Sequence, residues 1–161
     1  MELNISQVDY FDSSALVKRY LSEIGSFWIQ QRCYDANRII VTTEISRVEV
    51  AAAFAAKLRG QFITQAEYQQ VRTQLNQDCQ QQYFLTPVNI QRIDEAVELT
   101  ARQKLRGYDA VHIACALYYN HILLQNNLSP LIFVTADTEQ LQAAQAEGLV
   151  TENPLSPNRQ V

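Results

Sequence analysis

The sequence predicts an α/β protein, a three-layer α/β/α sandwich with a largely parallel sheet at its centre. Two observations carry that prediction. Short runs of β-branched and aromatic residues alternate with longer segments of helical period, as βαβ units do. Two of those runs, residues 8–11 and 130–135, lead within two residues to an aspartate that opens a helix, Asp12 and Asp137. In a parallel sheet the strand C-termini share one rim, and ligands of open α/β folds bind there.

Taken in order, Val8-Asp9-Tyr10-Phe11 is the first strand, and Asp12 or Ser13 caps the helical run that continues to Leu21. Gly25-Ser26 breaks the pattern, and a second helix covers about 27–36, with Phe27-Trp28 as a core or interface pair. Residues 38–42 are a buried strand by their β-branched content. The helix over 43–59 stops at Gly60. At about 100° per residue, Ile45, Val48, Ala52, Ala53 and Ala56 mark its inward face, with Glu49 in the middle and Glu44 outside. An inward acid needs a partner or a task, although Ser46 also has capping-box spacing to Glu49.

Thr64-Gln65-Ala66-Glu67 is a capping box opening an amphipathic helix, on which Tyr68, Val71, Leu75 and Cys79 repeat at helical spacing. Residues 83–88 form a short strand, placed at an edge by Pro87. Asn89 caps a helix with Ile93, Val97 and Ala101 inward and Asp94, Glu95 and Glu98 in solvent. Arg102, Lys104 and Arg106 end it, where cations suit the dipole. Residues 107–117 are the least polar helix, and Asp109 opens it as an N-cap or as a further acid at the rim. His112 is a hydrogen-bonded packing residue, since no serine or cysteine nucleophile motif accompanies it. A helix then runs from Asp137 to Gly148, and 149–151 is a last strand. Residues 1–154 make one domain, and 155–161 a mobile tail.

Composition narrows the function. Of 161 residues, 47% are hydrophobic and 19% charged, ordinary for a globular chain. No stretch nears the roughly 18 apolar residues of a membrane helix, and Met1-Glu2-Leu3-Asn4 lacks a basic signal-peptide head, so a cytoplasmic protein with no membrane contact is expected. Cys33, Cys79 and Cys115 are far apart, and with His112 and His121 they give no zinc spacing. The net charge of −4 speaks against a surface that coats nucleic acid, but not against a small site handling phosphate through a metal.

Asp12, Glu49, Asp109 and Asp137 all reach the same rim, from a strand end or from the helix that leaves it. Carboxylates gathered there repel and raise one another's pKa. A hard divalent cation such as Mg2+ or Mn2+, which prefers oxygen ligands, removes that conflict.

The stretches Tyr10-Phe11-Asp12-Ser13-Ser14-Ala15-Leu16, Arg47-Val48-Glu49, Tyr108-Asp109-Ala110-Val111-His112-Ile113-Ala114 and Val134-Thr135-Ala136-Asp137 resemble the PIN-domain family. They are most similar to the VapC-type ribonuclease toxins of toxin–antitoxin pairs. The likeness covers about residues 8–154 in the family's order; each motif alone is weak, and four in register are specific. It implies a PIN-like fold with Asp12, Glu49, Asp109 and Asp137 as the acidic quartet that binds Mg2+ or Mn2+. Asp12, Asp109 and Asp137 would be ligands, directly or through water, and Glu49 a ligand or the group that orients the attacking water. Thr135 matches a position that supports the last acid, and Ser13 is counted with it. The implied activity is hydrolysis of phosphodiester bonds in single-stranded or looped RNA, with a cognate antitoxin protein and a second copy of the chain as partners. Glu44 is the alternative second acid, and Lys18 and Arg19 are read as solvated helix residues. A catalytically silent PIN-like protein-binding module is the alternative function.

Other readings fail on residues. Haloacid-dehalogenase-type phosphatases need a second aspartate two positions after the first, where this chain has Ser14. Gly25, Gly60, Gly107 and Gly148 are scattered at element boundaries, so no glycine-rich phosphate loop exists.

Overall fold

Five parallel strands lie in the order β3-β2-β1-β4-β5: β1 Gln7–Phe11, β2 Arg38–Thr43, β3 Phe84–Thr86, β4 Ile132–Val134 and β5 Val150–Glu152. The structure is a computed structural model and describes residues 7–157. Tyr10 pairs with Val41 of β2 and Phe133 of β4, which fixes β1 as the central strand. Successive side chains of a strand point to opposite faces. Tyr10 accordingly enters one core with Val41 and Phe133, and Phe11 enters the other with Ile40 and Val134.

On the Tyr10 face pack α5 (Ile90–Arg102), α6 (Gly107–Gln125) and α7 (Thr138–Ala146). On the Phe11 face pack α1 (Ser13–Leu16), α2 (Ser26–Tyr34), α3 (Glu44–Arg59) and α4 (Gln65–Gln81). The three predicted layers and the parallel sheet are what forms, with β3 at an edge. Thr43, Thr64 and Asn89 cap α3, α4 and α5, and the capping box at Thr64 is complete.

Several local expectations are corrected. The first helical run is a single α-turn followed by a 3-10 turn over Val17–Arg19. Lys18 and Arg19 are not solvated: Lys18 is buried on Glu23, and Arg19 is bound to Asp78, Gln82 and Tyr83. On α3 the buried line is Ser46, Val50 and Phe54, while Val48 is 71% exposed and Ala52 and Ala56 are exposed. Alanines give a face little direction, and the one large aromatic, Phe54, sets the roll of the helix. Ser46 bonds Thr42 at 2.7 Å, so no capping box forms with Glu49.

Gly60 closes α3 at φ −78°, and the left-handed residue is Gln61. A Cβ at 60 would lie 2.8 Å from the Phe62 ring, which is exposed and would have to turn aside. On α5 the inward line is Arg92, Ala96 and Leu99, and the predicted stripe of Ile93, Val97 and Ala101 faces solvent. Phe27 is exposed, whereas Trp28 is partly covered by the Arg32 guanidinium, 4.0 Å above its ring. Of the predicted tail, residues 155–157 are described and 158–161 lie outside the described residues.

Candidate active site

Asp12 follows β1 directly, and its N–H donates to the Val134 carbonyl at 3.2 Å, which ties the end of β1 to the end of β4. Its carboxylate caps α1 by accepting from Ala15 N at 2.9 Å. Ser14 Oγ lies 2.8 Å from both carboxylate oxygens, and Thr135 Oγ1 is 2.7 Å from Oδ2. Only 3% of Asp12 is exposed. Burial raises its pKa, while the His112 charge and the hydrogen bonds from Thr135, Ala15 and Ser14 pull it back.

Thr135 and Gln140 connect this acid to two others. Thr135 Oγ1 accepts from Asp137 N at 3.0 Å and donates to Gln140 Oε1 at 2.9 Å, so its one proton is shared between Gln140 and Asp12. Gln140 is fully buried; its N–H caps back onto Asp137 Oδ1 at 2.9 Å, and its amide reaches the Asp109 carbonyl at 3.4 Å. Asp137 is thus the N-cap of α7. Asp109 is not a cap: α6 starts at Gly107 after Arg106, which leaves Asp109 in the first turn. Its pKa is raised by burial first and by the Asp137 charge second, with Glu49 adding and His112 and Arg106 opposing.

Glu49 is held from the other side. Its Oε1 lies 2.8 Å from His112 Nε2, and Ser13 Oγ donates to Oε2 at 3.1 Å. Buried Tyr10 reaches His112 Nδ1 at 3.0 Å. If Tyr10 donates, the imidazole is the Nε2–H tautomer and donates to Glu49 in turn, so three side chains from β1, α6 and α1 (Tyr10, His112 and Ser13) fix the one carboxylate that α3 presents. Glu44 is exposed and pairs with Arg47 at 3.2 Å.

The structure therefore links Asp12, Asp137 and the backbone of Asp109 through Thr135 and Gln140, and couples Glu49 to Asp109 electrostatically. Glu44 stands apart. Sequence reasoning missed Ser14, Gln140 and the positioning role of Tyr10 and His112. For His112 a signal existed: it lies three residues after Asp109, on the same side of a helix.

None of the four acids pairs with a lysine or arginine among the described residues, whereas Asp9, Glu23, Asp78, Glu139 and Glu147 all do. The carboxylate and hydroxyl donors match a hard divalent cation and lack the cysteine and histidine set of a structural zinc site. Among the described residues, no three of the His, Cys, Asp or Glu side chains stand together as a complete chelate. Magnesium is commonly bound by one or two carboxylates, with water and substrate phosphate filling the other positions, so the donors fit it as a partial site. Asp109, whose carboxylate accepts no hydrogen bond among the described residues, and Asp137, bonded through one oxygen, are the open donors. The grooves of about 620 Å³ between α5 and α6 and between α3 and α4 are lined by residues other than these four acids.

Comparison with known proteins identifies the family and the fold. The PIN domain profile matches residues 10–146. Ribonuclease VapC45 and ribonuclease VapC49, from two strains of Mycobacterium tuberculosis, are each 33% identical over 111 residues, covering 67% of this chain and 74% of the relative. FitAcB from Neisseria gonorrhoeae superposes with a TM-score of 0.63 over 91% of this chain and 97% of its own, at 13% identity. VapBC2 from Rickettsia felis, solved bound to a promoter DNA fragment, gives 0.59 at 12% identity, over 91% and 98% of the two chains. These two structures speak to the fold. No helix among the described residues is long and apolar enough to cross a membrane.

Proposed function

The chain belongs to the PIN-domain family, and from that premise we propose that it is a metal-dependent endoribonuclease, the toxin of a type II toxin–antitoxin pair. What supports the reading is the set of four acids, each tied to its neighbours by hydrogen bonds or coupling and none paired with a lysine or arginine among the described residues. The substrate is single-stranded or looped RNA, and the protein partners are a cognate antitoxin and a second copy of the chain, in the cytoplasm. Residues 1–154 form the nuclease domain.

Asp109 and Asp137 would hold Mg2+ or Mn2+ through their open oxygens, with Asp12 behind them, directly or through water. When bound, the cation supplies charge neutralisation at the phosphate and a lowered pKa for water. The chain's own residues do the rest. Thr135 and Ser14 hold the Asp12 carboxylate, and Gln140 fixes the spacing between the starts of α6 and α7. Glu49, steered by His112 and Ser13, is the carboxylate placed to orient and deprotonate an attacking water.

The test is cleavage of single-stranded RNA by purified chain freed of any antitoxin. Cleavage with magnesium or manganese that stops with a chelator supports the reading. Metal-independent cleavage that is lost on replacing His112 overturns it, and inertness with metal present favours the silent binding module.

A further inference from the structure

Exposed apolar side chains are common on protein surfaces, and what singles one out is its company. Phe62 is covered by Lys57 and Tyr34 by Arg19, Phe84 packs on Tyr119, and Tyr118 lies under Arg92. The Tyr108 side chain is different. It is 64% exposed and has no ring, cation or hydrogen-bond partner among the described residues. Phe27 is equally bare, but it sits on α2, which carries none of the four acids.

The place of Tyr108 follows from the helix. It stands in the first turn of α6, next to Asp109 and one turn before His112. Side chains one turn apart on a helix are neighbours, about 5–6 Å between their Cβ atoms, and they lean towards the helix start. His112 is buried and meets Glu49 at 2.8 Å. Tyr108 therefore stands one turn further out on the same line, at the edge between Glu49 and Asp109.

Arg106 stands on the same approach. Of the three cations from the end of α5 to the start of α6, Arg102 holds Glu147 at 2.9 Å and Lys104 holds Glu139 at 2.5 Å. Arg106 is exposed and makes no ion pair among the described residues, yet it is close enough for its charge to act on Asp109. One bare ring and one bare cation thus flank one acid of the site. A nucleotide offers the matching pair, a flat base and a phosphate anion. Stacking needs a free π-face, which a base inside a duplex does not present. The pair therefore selects a single strand, and it is indifferent to which base the strand carries.

We propose that Tyr108 and Arg106 grip one nucleotide of a single-stranded RNA beside the scissile bond, the ring stacking on its base and the guanidinium meeting a backbone phosphate. The inference rests on the ribonuclease reading and names how that site takes its strand.

The experiment measures, by fluorescence anisotropy, the binding of a short labelled single-stranded RNA to the whole chain. A Glu49→Gln background with magnesium keeps the strand whole. Tyr108→Ala should weaken binding about tenfold, within the usual worth of one base stacked on an aromatic ring. Tyr108→Phe keeps the ring and should bind as the parent does. A matching strand of abasic nucleotides should bind the parent and Tyr108→Ala alike. Arg106→Gln should weaken binding and lower the salt slope by about one phosphate contact. Both positions are exposed, so thermal unfolding of the variants should match the parent, which separates lost grip from lost fold. Tyr108→Ala that binds as tightly as the parent, or a loss that persists on the abasic strand, overturns the stack. An unchanged salt slope in Arg106→Gln overturns the phosphate contact. A chain with Glu49 in place that grips RNA through both residues yet never cuts it refutes the ribonuclease and leaves the grip standing. Cleavage with all variants binding alike refutes the grip alone.

Discussion

Asp9, in the middle of β1, and Asp12, just past its end, stand three residues apart, and the protein treats them in opposite ways. Asp9, 0% exposed, is gripped by Arg32 at 2.7 Å and Arg38 at 3.1 Å, with Trp28 stacked beneath Arg32. Asp12 is almost as buried, yet it receives two hydroxyls and one amide and, among the described residues, no lysine or arginine. A buried carboxylate without a cation is expensive. Where the chain supplies the cation itself, the acid is architecture; under the proposed function, the charge that Asp12 lacks is the metal's.

The largest expected effect tests the first half of that contrast. Asp9→Ala leaves Arg32 partly buried without its acid and Arg38 with Asp35 alone, and should cost about 3 kcal/mol of stability, read by urea unfolding. The folded fraction should still respond to metal as the parent does. Asp12→Asn should do the reverse: little loss of stability with chelator, since asparagine caps a helix about as well as aspartate, and a blunted response to metal. Matching profiles for the two variants would erase the contrast.

Next in size is the metal response itself. At a hundredfold excess over its dissociation constant, a cation that binds only the folded chain adds about 2.7 kcal/mol. Thermal unfolding of the parent with magnesium or manganese should show that gain, and Asp12→Asn, Asp109→Asn and Asp137→Asn should each gain much less. Equal gains in all four proteins would mean that the acids do not share a site.

The layers, the parallel sheet and the places of Asp12 and Asp137 just after β1 and β4 were legible because they rest on period and on strand ends, which are local. What was not legible depended on the roll of helices. The face of α3 was misjudged because four of its five marker residues were small or lay outside the true line through Phe54. Glu49 still reaches the rim, because it sits on the same flank as Ser46 and Val50 and is caught by His112 from α6. The face of α5 was misjudged because apolar residues were taken to point inward, whereas Arg92 does. Ser14 and Gln140 were invisible, since a serine after a cap and a glutamine in a first turn are common until a fold brings Thr135 between them.

Which glutamate works is a sharper question, and activity answers it. Glu49→Gln should lose activity by on the order of a hundredfold, the usual scale for a lost general base. Glu44→Gln should keep it, because Glu44 faces solvent on Arg47. Initial rates of RNA cleavage for the two variants decide the matter, and the opposite ranking would move the site one helical turn towards the start of α3.

The smallest effect separates charge from geometry at Asp109. Two forces contend there. The positive end of α6 favours the carboxylate by about 0.3–1 kcal/mol, while burial and the Asp137 charge disfavour it, and the raised pKa says that the latter win. A folded-state pKa above the unfolded value means the folded chain holds this proton more tightly. Below the unfolded pKa, about 3.9, Asp109 is neutral in both states and costs nothing. As pH rises from there through the raised folded pKa, the unfolded chain releases its proton first, and the fold loses stability. Above that pKa the whole penalty stands. Asp109→Asn carries no charge at any pH, so with chelator it should be more stable than the parent near neutral pH, and the advantage should vanish on acidification towards the unfolded pKa. Added magnesium or manganese should invert the neutral-pH order, because the parent alone regains a charged ligand. Thermal unfolding at neutral and acid pH, each with chelator and with metal, reads all of these. A variant less stable than the parent at neutral pH with chelator would show that the helix end, and not the neighbouring acids, governs Asp109.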